Sequence, residues 1–296
     1  MSLKLRIIKF MMKRQESAFN ETIDIDKLRA SGKSSAAMPA EKNVTIKEMK
    51  LGGVPCEFVE PPEPRNDVVI LYVHGGGFIS GSCTYFRSFT SYFAKESKIK
   101  IYGIDYRLAP EHPFPAATDD CFNAYKSLLE IEKGKSIILL GESAGANLIL
   151  TIYLQAKQNN LPLPLGIIAY SPLTDATGKI DYSTNAKTDF VLGKLTAKTI
   201  TDLYAPGADT SLPLISPYYG DFKGCPPIRL VWDSGEILCP DNKRFASKLS
   251  NEKVQIETKE WDHTFHTFEI LAKMMPESKK EINYSIQFIN TLTTRT

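Results

Sequence analysis

The sequence predicts an α/β protein, with a mostly parallel central sheet flanked by helices on both sides. Three observations carry that expectation. Five apolar runs, at 68–73, 100–104, 136–140, 165–170 and 228–232, have strand length and are continuous rather than alternating, as in strands buried on both faces. Between them, stretches at 88–97, 117–132, 144–159 and 241–251 keep helical periodicity. The composition is 43% apolar and 24% charged over 296 residues, with a formal net charge of +2, which fits an ordinary soluble globular chain and excludes a disordered or collagen-like one.

The elements follow in order. Residues 1–15 place Leu3, Ile7, Phe10 and Met11 at helical spacing among Lys4, Arg6, Lys9, Lys13 and Arg14. Charge interrupts them too often for a signal peptide, and a helix that packs its apolar face on the body of the protein is preferred to one lying on a membrane surface. Residues 24–41, with Gly32, Ser34, Ser35 and Pro39, read as a mobile connection. The alternating stretch 44–51, the turn Gly52-Gly53 and the return 55–59 form a hairpin. The rhythm breaks at 173–223, a connection long enough to be a lid or an inserted subdomain. A further alternating strand at 254–260 precedes the last helix.

Several function classes fall away. A mixed-sign chain with net charge +2 has no general attraction for nucleic acid. Cys56, Cys83, Cys121, Cys225 and Cys239 are odd in number with no C-x-x-C pair, which reads as reduced thiols in a cytoplasmic protein. No H-E-x-x-H and no ligand-like cysteine spacing implies a metal, and no organic cofactor is expected. No apolar run approaches the roughly 20 residues needed to cross a bilayer, so stable membrane insertion is not expected.

The chemistry gathers in two glycine motifs. Gly141-Glu142-Ser143-Ala144-Gly145 has the form G-x-S-x-G, which alone arises by chance in about one comparable sequence in ten. Its context is the stronger signal: a buried strand precedes it and a helix follows, the strand-to-helix turn that exposes a nucleophilic serine beside a helix N-terminus. His74-Gly75-Gly76-Gly77-Phe78 follows another strand, and its glycines let backbone N–H groups approach a substrate oxygen. With the N–H of Ala144, such donors hold the charge of a tetrahedral intermediate, each worth roughly 3–4 kcal/mol. A phosphate cradle is disfavoured, since no G-K-[ST] follows.

A serine nucleophile needs a base. His74 belongs to the glycine loop and His112 to a proline-bounded turn, while the order Ser, acid, His along the chain leaves His263 and His266. Asp233, Glu236 and Asp241 all qualify by position as the acid. Asp241 follows Pro240 at a helix start, where its simplest role is an N-cap. Spacing does not choose between Asp233 and Glu236.

With the stretch Asp105-Tyr106-Arg107-Leu108-Ala109-Pro110-Glu111-His112-Pro113-Phe114-Pro115-Ala116-Ala117, these two motifs resemble the hormone-sensitive-lipase-like (family IV) esterases of the α/β-hydrolase superfamily, from about Val44 to the last helix. Gly52-Gly53-Val54-Pro55, Ser216-Pro217-Tyr218-Tyr219 and Met275-Pro276-Glu277 are similar to its branch of bacterial lactone hydrolases and heroin-esterase-like enzymes. The resemblance implies an α/β-hydrolase fold with a helical cap. It matches Glu236-Ile237-Leu238 to the family's Asp-Pro-Leu, making Glu236 the acid, and Phe265-His266-Thr267-Phe268 to its histidine segment, making His266 the base thirty residues on. Glutamate for aspartate is a departure that a set-back loop accommodates. Glu142, where the family often has Asp, is expected to be a structural partner at the elbow, and Arg107 and Glu111 to belong to a structural turn.

The resulting expectation is a serine carboxylesterase with Ser143 as nucleophile and an oxyanion hole of Gly76, Gly77 and Ala144, acting on small to medium acyl esters. Phe78, Tyr85, Phe190, Leu192 and Tyr204 are pocket candidates. The motifs reach from Gly76 to His266, so one catalytic domain over 1–296, capped by about 1–43 and about 173–223, is expected over two domains. The partner is a small-molecule ester, and a homodimer is compatible with the reading. Lactone or amide hydrolysis by the same residues is the alternative, and a non-catalytic ligand-binding relative is disfavoured by the presence of both Ser143 and His266.

Overall fold

The chain enters its sheet through a hairpin, β1 (Thr45–Leu51) against β2 (Val54–Glu60), closed by Gly52 and Gly53. The strands β3 (Val68–Val73), β4 (Lys100–Ile104), β5 (Ser136–Glu142), β6 (Gly166–Tyr170), β7 (Ile228–Asp233) and β8 (Ile256–Trp261) follow, with every pairing among them parallel. In this computed structural model the described residues are 1–14, 24–35, 38–192 and 197–294, and among them the eight strands form one sheet in the order β1-β2-β4-β3-β5-β6-β7-β8. The sheet and its flanking helices are the α/β-hydrolase architecture.

Burial on both faces explains the continuous apolar runs. All six side chains of β3, Val-Val-Ile-Leu-Tyr-Val, are fully buried. Successive residues point to opposite faces, so Val68, Ile70 and Tyr72 meet α3 (Cys83–Ser97) and α9 (Pro276–Thr293) through Phe89, Phe93, Ile282 and Phe288. Val69, Leu71 and Val73 join a larger core with α4 (Ala116–Ile131), α5 (Ala144–Gln158) and α8 (Cys239–Asn251). Arg229 of β7 is buried too, and its Nε and Nη2 donate to Glu281 of α9 at 2.9 and 2.6 Å, which ties the last helix to the sheet.

Strand order places the site. The chain leaves β3 for β4 on one side and returns as β5 on the other, so the loops after β3 and β5 diverge at the carboxyl ends of neighbouring strands. That switch point is where open α/β sheets leave a crevice.

Three expectations are corrected here. The stretch 24–41 is not simply a connection, because α2 (Ile25–Ser35) runs through it. Asp24 caps this helix by accepting the Lys27 N–H at 2.9 Å, Leu28 is buried, and Arg29 forks onto Glu111 at 2.7 Å while donating to the Ile79 and Ala109 carbonyls. Partners some eighty residues away outweigh the helix-breaking composition. Asp241 is not the N-cap of α8, a position held by Leu238. Its carboxylate turns to the loop after β6, accepting from Thr174 N–H and Oγ1 at 2.6 Å each and from Asp175 N–H at 3.2 Å. The helix read at 88–97 also starts earlier, where the Ser82 hydroxyl accepts the Thr84 N–H.

Between β6 and β7 lie α6 (Ser183–Ala186), α7 (Ala197–Tyr204) and a 3₁₀ turn at Pro217–Tyr219. The first helix, α1 (Leu3–Arg14), packs on Phe265, Phe268 and Met275 just before α9, while residues 15–23, 36–37 and 193–196 of the expected cap segments lie outside the described residues. Among the described residues no helix is long and apolar enough to cross a membrane.

Candidate active site

Ser143 occupies the turn from β5 into α5 with φ 54° and ψ −120°. A non-glycine residue held there costs roughly 1–3 kcal/mol, a strain that recurs where a nucleophile must be raised above the sheet. The turn is locked by the Ser143 N–H donating to Tyr170 O at 2.8 Å and by the Asn147 N–H donating to Ser143 O at 3.1 Å. Gly145 has no alternative residue, because a Cβ there would stand 2.0 Å from Val73 O.

The loop after β3 lies against this elbow. Gly76 has φ 117°, and its carbonyl accepts from the Ile79 and Ser80 amides at 3.2 and 3.0 Å. Glu142 joins loop to elbow: Oε1 accepts the Gly75 N–H at 2.7 Å and the Tyr72 hydroxyl at 2.9 Å. Burial pushes the Glu142 carboxyl up to about 8 despite those two bonds, so it is neutral at pH 7. His74 stacks on Tyr106 with ring centroids 4.4 Å apart, and burial lowers its pKa, leaving a neutral ring that braces the loop.

His266 connects the remaining pieces. Its Nε2 lies 2.9 Å from Ser143 Oγ and its Nδ1 lies 3.1 Å from Glu236 Oε2, which also accepts the Ser171 hydroxyl at 2.7 Å. Burial lowers the imidazole pKa, but the hydrogen bond and charge of Glu236 outweigh it and the net shift is upward. Burial likewise raises the Glu236 carboxyl, opposed by His266 and Ser171.

The other sequence candidates stand elsewhere. His263 is 69% exposed beside Asp262, and His112 is exposed. Asp233 accepts from Thr264 N–H and Oγ1 at 2.8 and 2.5 Å and from the Gly235 N–H at 2.9 Å, shaping the loops on either side of the site.

Sequence reasoning missed a set of clamps on the Glu236 loop. Asn185 Nδ2 donates to the Ser234 and Glu236 carbonyls at 3.0 and 2.7 Å, and Thr188 Oγ1 to the Gly235 carbonyl at 2.8 Å. Asp189, buried, accepts the Ile237 N–H through one oxygen and the Val191 and Leu192 amides through the other, all at 2.9 Å. No local motif marks them, since each acts on a loop about fifty residues away.

A family described as having the alpha/beta hydrolase fold matches residues 70–270, the span that holds every contact of Ser143, His266 and Glu236 given above. The chain belongs to the α/β-hydrolase family. An esterase of Acinetobacter venetianus is 32% identical over 261 residues, covering 86% of this α/β-hydrolase and 84% of the relative. An acetyl-hydrolase of Streptomyces hygroscopicus is 29% identical, with 82% of each chain covered. The solved structure of a hormone-sensitive lipase from a metagenome library superposes with a TM-score of 0.91 at 34% identity, over 97% of this chain and 98% of that one. This α/β-hydrolase is an enzyme, a carboxylic ester hydrolase with relatives in the hormone-sensitive-lipase group.

Two cavities of the α/β-hydrolase meet at Ser143. One of about 150 Å³ is bounded by Gly75, Gly76, Gly77, Phe86, Leu192 and Ile270, and the other, of about 20 Å³, by Gly77, Phe78, Ala144, Leu173, Leu192 and Ile237. Gly76, Gly77 and Ala144 thus face the space beside the serine. Leu192 lines both cavities and Phe78 the smaller one, whereas Phe190 lines a separate cleft of about 330 Å³ with Lys9 and Lys13. Tyr204 stacks on Phe78 at 3.9 Å and its hydroxyl lies 2.8 Å from Thr118 Oγ1, while the Tyr85 ring lies against Gly32 of α2.

Proposed function

We propose that the chain hydrolyses small carboxylic esters through a Ser143–His266–Glu236 triad and an acyl-enzyme. The observation that carries this reading is the continuous chain of contacts from Ser143 Oγ to His266 to Glu236, at 2.9 and 3.1 Å, beneath the glycine loop. His266 Nε2 takes the Ser143 proton as Oγ attacks the ester carbonyl, and the carbonyl oxygen becomes an oxyanion that accepts from the amides of Gly76, Gly77 and Ala144. The imidazolium then gives its proton to the leaving alkoxide as the ester C–O bond breaks. Water enters, loses a proton to Nε2 and attacks the acyl-enzyme. Collapse of the second intermediate releases the carboxylic acid and restores Ser143. Glu236 keeps Nδ1 protonated throughout and stabilises the imidazolium.

The cavity sizes support a short acyl group in the smaller space and a larger alcohol in the other, and the acetyl-hydrolase relative is in keeping with that class. Residues 1–43 and 173–223 serve as the cap of one catalytic domain over 1–296, with Leu192 and Ile200 forming its contact with the site. Within the family we place the chain nearest the lactone-hydrolase and heroin-esterase-like branch, on the motifs quoted above. Five free, buried cysteines suit a reducing, cytoplasmic setting.

A chain-length series of chromogenic esters and a lactone panel, run beside Ser143→Ala, tests the reading. Turnover is expected to be highest for acetyl and propionyl esters and to fall by roughly 10⁴-fold or more in the variant. Ester hydrolysis that survives Ser143→Ala overturns the mechanism, and faster lactone turnover moves the substrate class.

A further inference from the structure

Helix α1 carries two apolar faces, and the fold uses one of them. Leu5, Ile8 and Met12 pack on Phe265, Phe268 and Met275, and Ser2 fastens the helix start to Glu277 by donating from its N–H and hydroxyl at 2.6 and 2.8 Å. On the far side Leu3 is 70% exposed, Ile7 50% and Met11 61%. Steps of four residues set these three side chains within an arc of about 80° around the helix. Lys4 borders that stripe on one edge, Arg6 and Lys13 on the other, and all three are exposed. No acidic residue occurs from Met1 to Lys13. Elsewhere among the described residues the exposed large apolar side chains, such as Ile131, Leu163 and Leu212, occur singly along the chain, which is ordinary for a protein surface.

We propose that this second face of α1 adsorbs the enzyme reversibly to an anionic lipid surface. Leu3, Ile7 and Met11 enter the acyl boundary while Lys4, Arg6 and Lys13 reach the headgroups along their aliphatic stems. Charge selects this occupant. A second copy seated on the same face would bring two uncompensated sets of cations together, whereas anionic headgroups neutralise one. At 12 residues α1 is too short to span a bilayer, so it lies in the interface. Lys9 and Lys13 of the same helix also line the cleft that holds Phe190 and His266. The proposal is independent of the hydrolytic reading, because vesicle binding needs no turnover.

Co-sedimentation of the full chain with phosphatidylcholine vesicles, with and without phosphatidylglycerol, tests it. Binding is expected only with phosphatidylglycerol present and is expected to weaken as salt rises from about 0.05 to about 0.5 M. The triple variant Leu3→Ser, Ile7→Ser, Met11→Ser and the charge reversal Lys4→Glu, Arg6→Glu should each lower binding at least ~tenfold while hydrolysis of a water-soluble acetate ester is unchanged. The charge reversal keeps the apolar stripe, so it decides the matter if the serine variant fails to fold. Wild-type protein that ignores phosphatidylglycerol vesicles, or variants that bind as well as wild type, overturn the proposal. A concentration-dependent dimer lost in both variants, without vesicle binding, assigns the face to a second copy instead.

Discussion

The elbow that carries Ser143 and the loop that carries Glu236 hold opposite sides of the same imidazole, and they are built by different means. The elbow is held by backbone: Ser143 N–H to Tyr170 O, Asn147 N–H to Ser143 O, and a glycine at 145 that lets α5 touch the end of β3. The Glu236 loop is held by side chains from the connection after β6, with Asn185, Thr188 and Asp189 gripping residues 234–237. Backbone constraint leaves a contiguous motif, because a tight turn admits few residue types. Side-chain constraint leaves none, because polar side chains at several distances can grip the same amide or carbonyl.

The largest effect that bears on this comparison comes from Glu236→Gln. The variant keeps volume but removes the carboxylate that accepts from Nδ1, so the imidazole is free to adopt the unproductive tautomer, and kcat is expected to fall roughly 10³–10⁴-fold. The pH profile gives a second readout. As the proposed base His266 must be neutral, so activity is expected to fall as pH drops through its pKa, which the hydrogen bond and charge of Glu236 raise. The acid limb of kcat/KM in Glu236→Gln should therefore move to lower pH. Asp241→Asn serves as the contrast: its contacts are to Thr174 and Asp175, and it should leave the acid limb in place. A larger rate loss in Asp241→Asn than in Glu236→Gln would reassign the acid.

How much was legible follows the same division. The strands from β3 to β7 were readable because burial on both faces leaves continuous apolar runs, and the two glycine motifs because their turns tolerate little else. His266 and Glu236 were named by likeness to a family, while their spacing alone left His263, Asp233 and Asp241 open. Helix α2 was misread because Arg29 and Leu28 gain their partners only when the chain has folded. The clamps of Asn185 and Asp189 were invisible for the same reason, and so were Ile200 and Ile270, two apolar positions among many that line the cavity at Ser143.

A middle-sized effect is expected from Asp189→Asn. One carboxylate spans two segments, with one oxygen on Ile237 N–H and the other on the Val191 and Leu192 amides, and an amide offers only one acceptor oxygen for both tasks. Whichever link is lost, the Glu236 loop or the Leu192 wall of the cavities loosens, and kcat should fall roughly tenfold. Asp189 also adds to the upward shift of His266, so the acid limb should move slightly downward, in the same direction as in Glu236→Gln. A rise in KM alone, with kcat and the acid limb unchanged, would mean that Asp189 serves the pocket and not the acid loop.

The smallest effect concerns the joint between the glycine loop and the elbow. Glu142 sits inside the readable motif, yet its charge state is set by burial, which pushes its pKa from the ordinary 4.5 up to about 8. With the folded-state value above the unfolded one, this group's contribution to stability is full below pH 4.5 and is lost as pH rises through about 8. Over that interval the unfolded chain releases a proton that the folded chain retains, a slope of at most about 1.4 kcal/mol per pH unit. Glu142→Gln keeps an oxygen to accept from Gly75 N–H and Tyr72 OH and cannot ionise, so its share of that slope disappears. Melting curves at pH 6 and pH 9 should therefore show a smaller fall for the variant than for wild type, while ester hydrolysis at pH 6, where the native carboxyl is already neutral, stays within about twofold. An equal fall in both proteins would mean that Glu142 ionises in the fold, and the joint would then rest on a charged carboxylate.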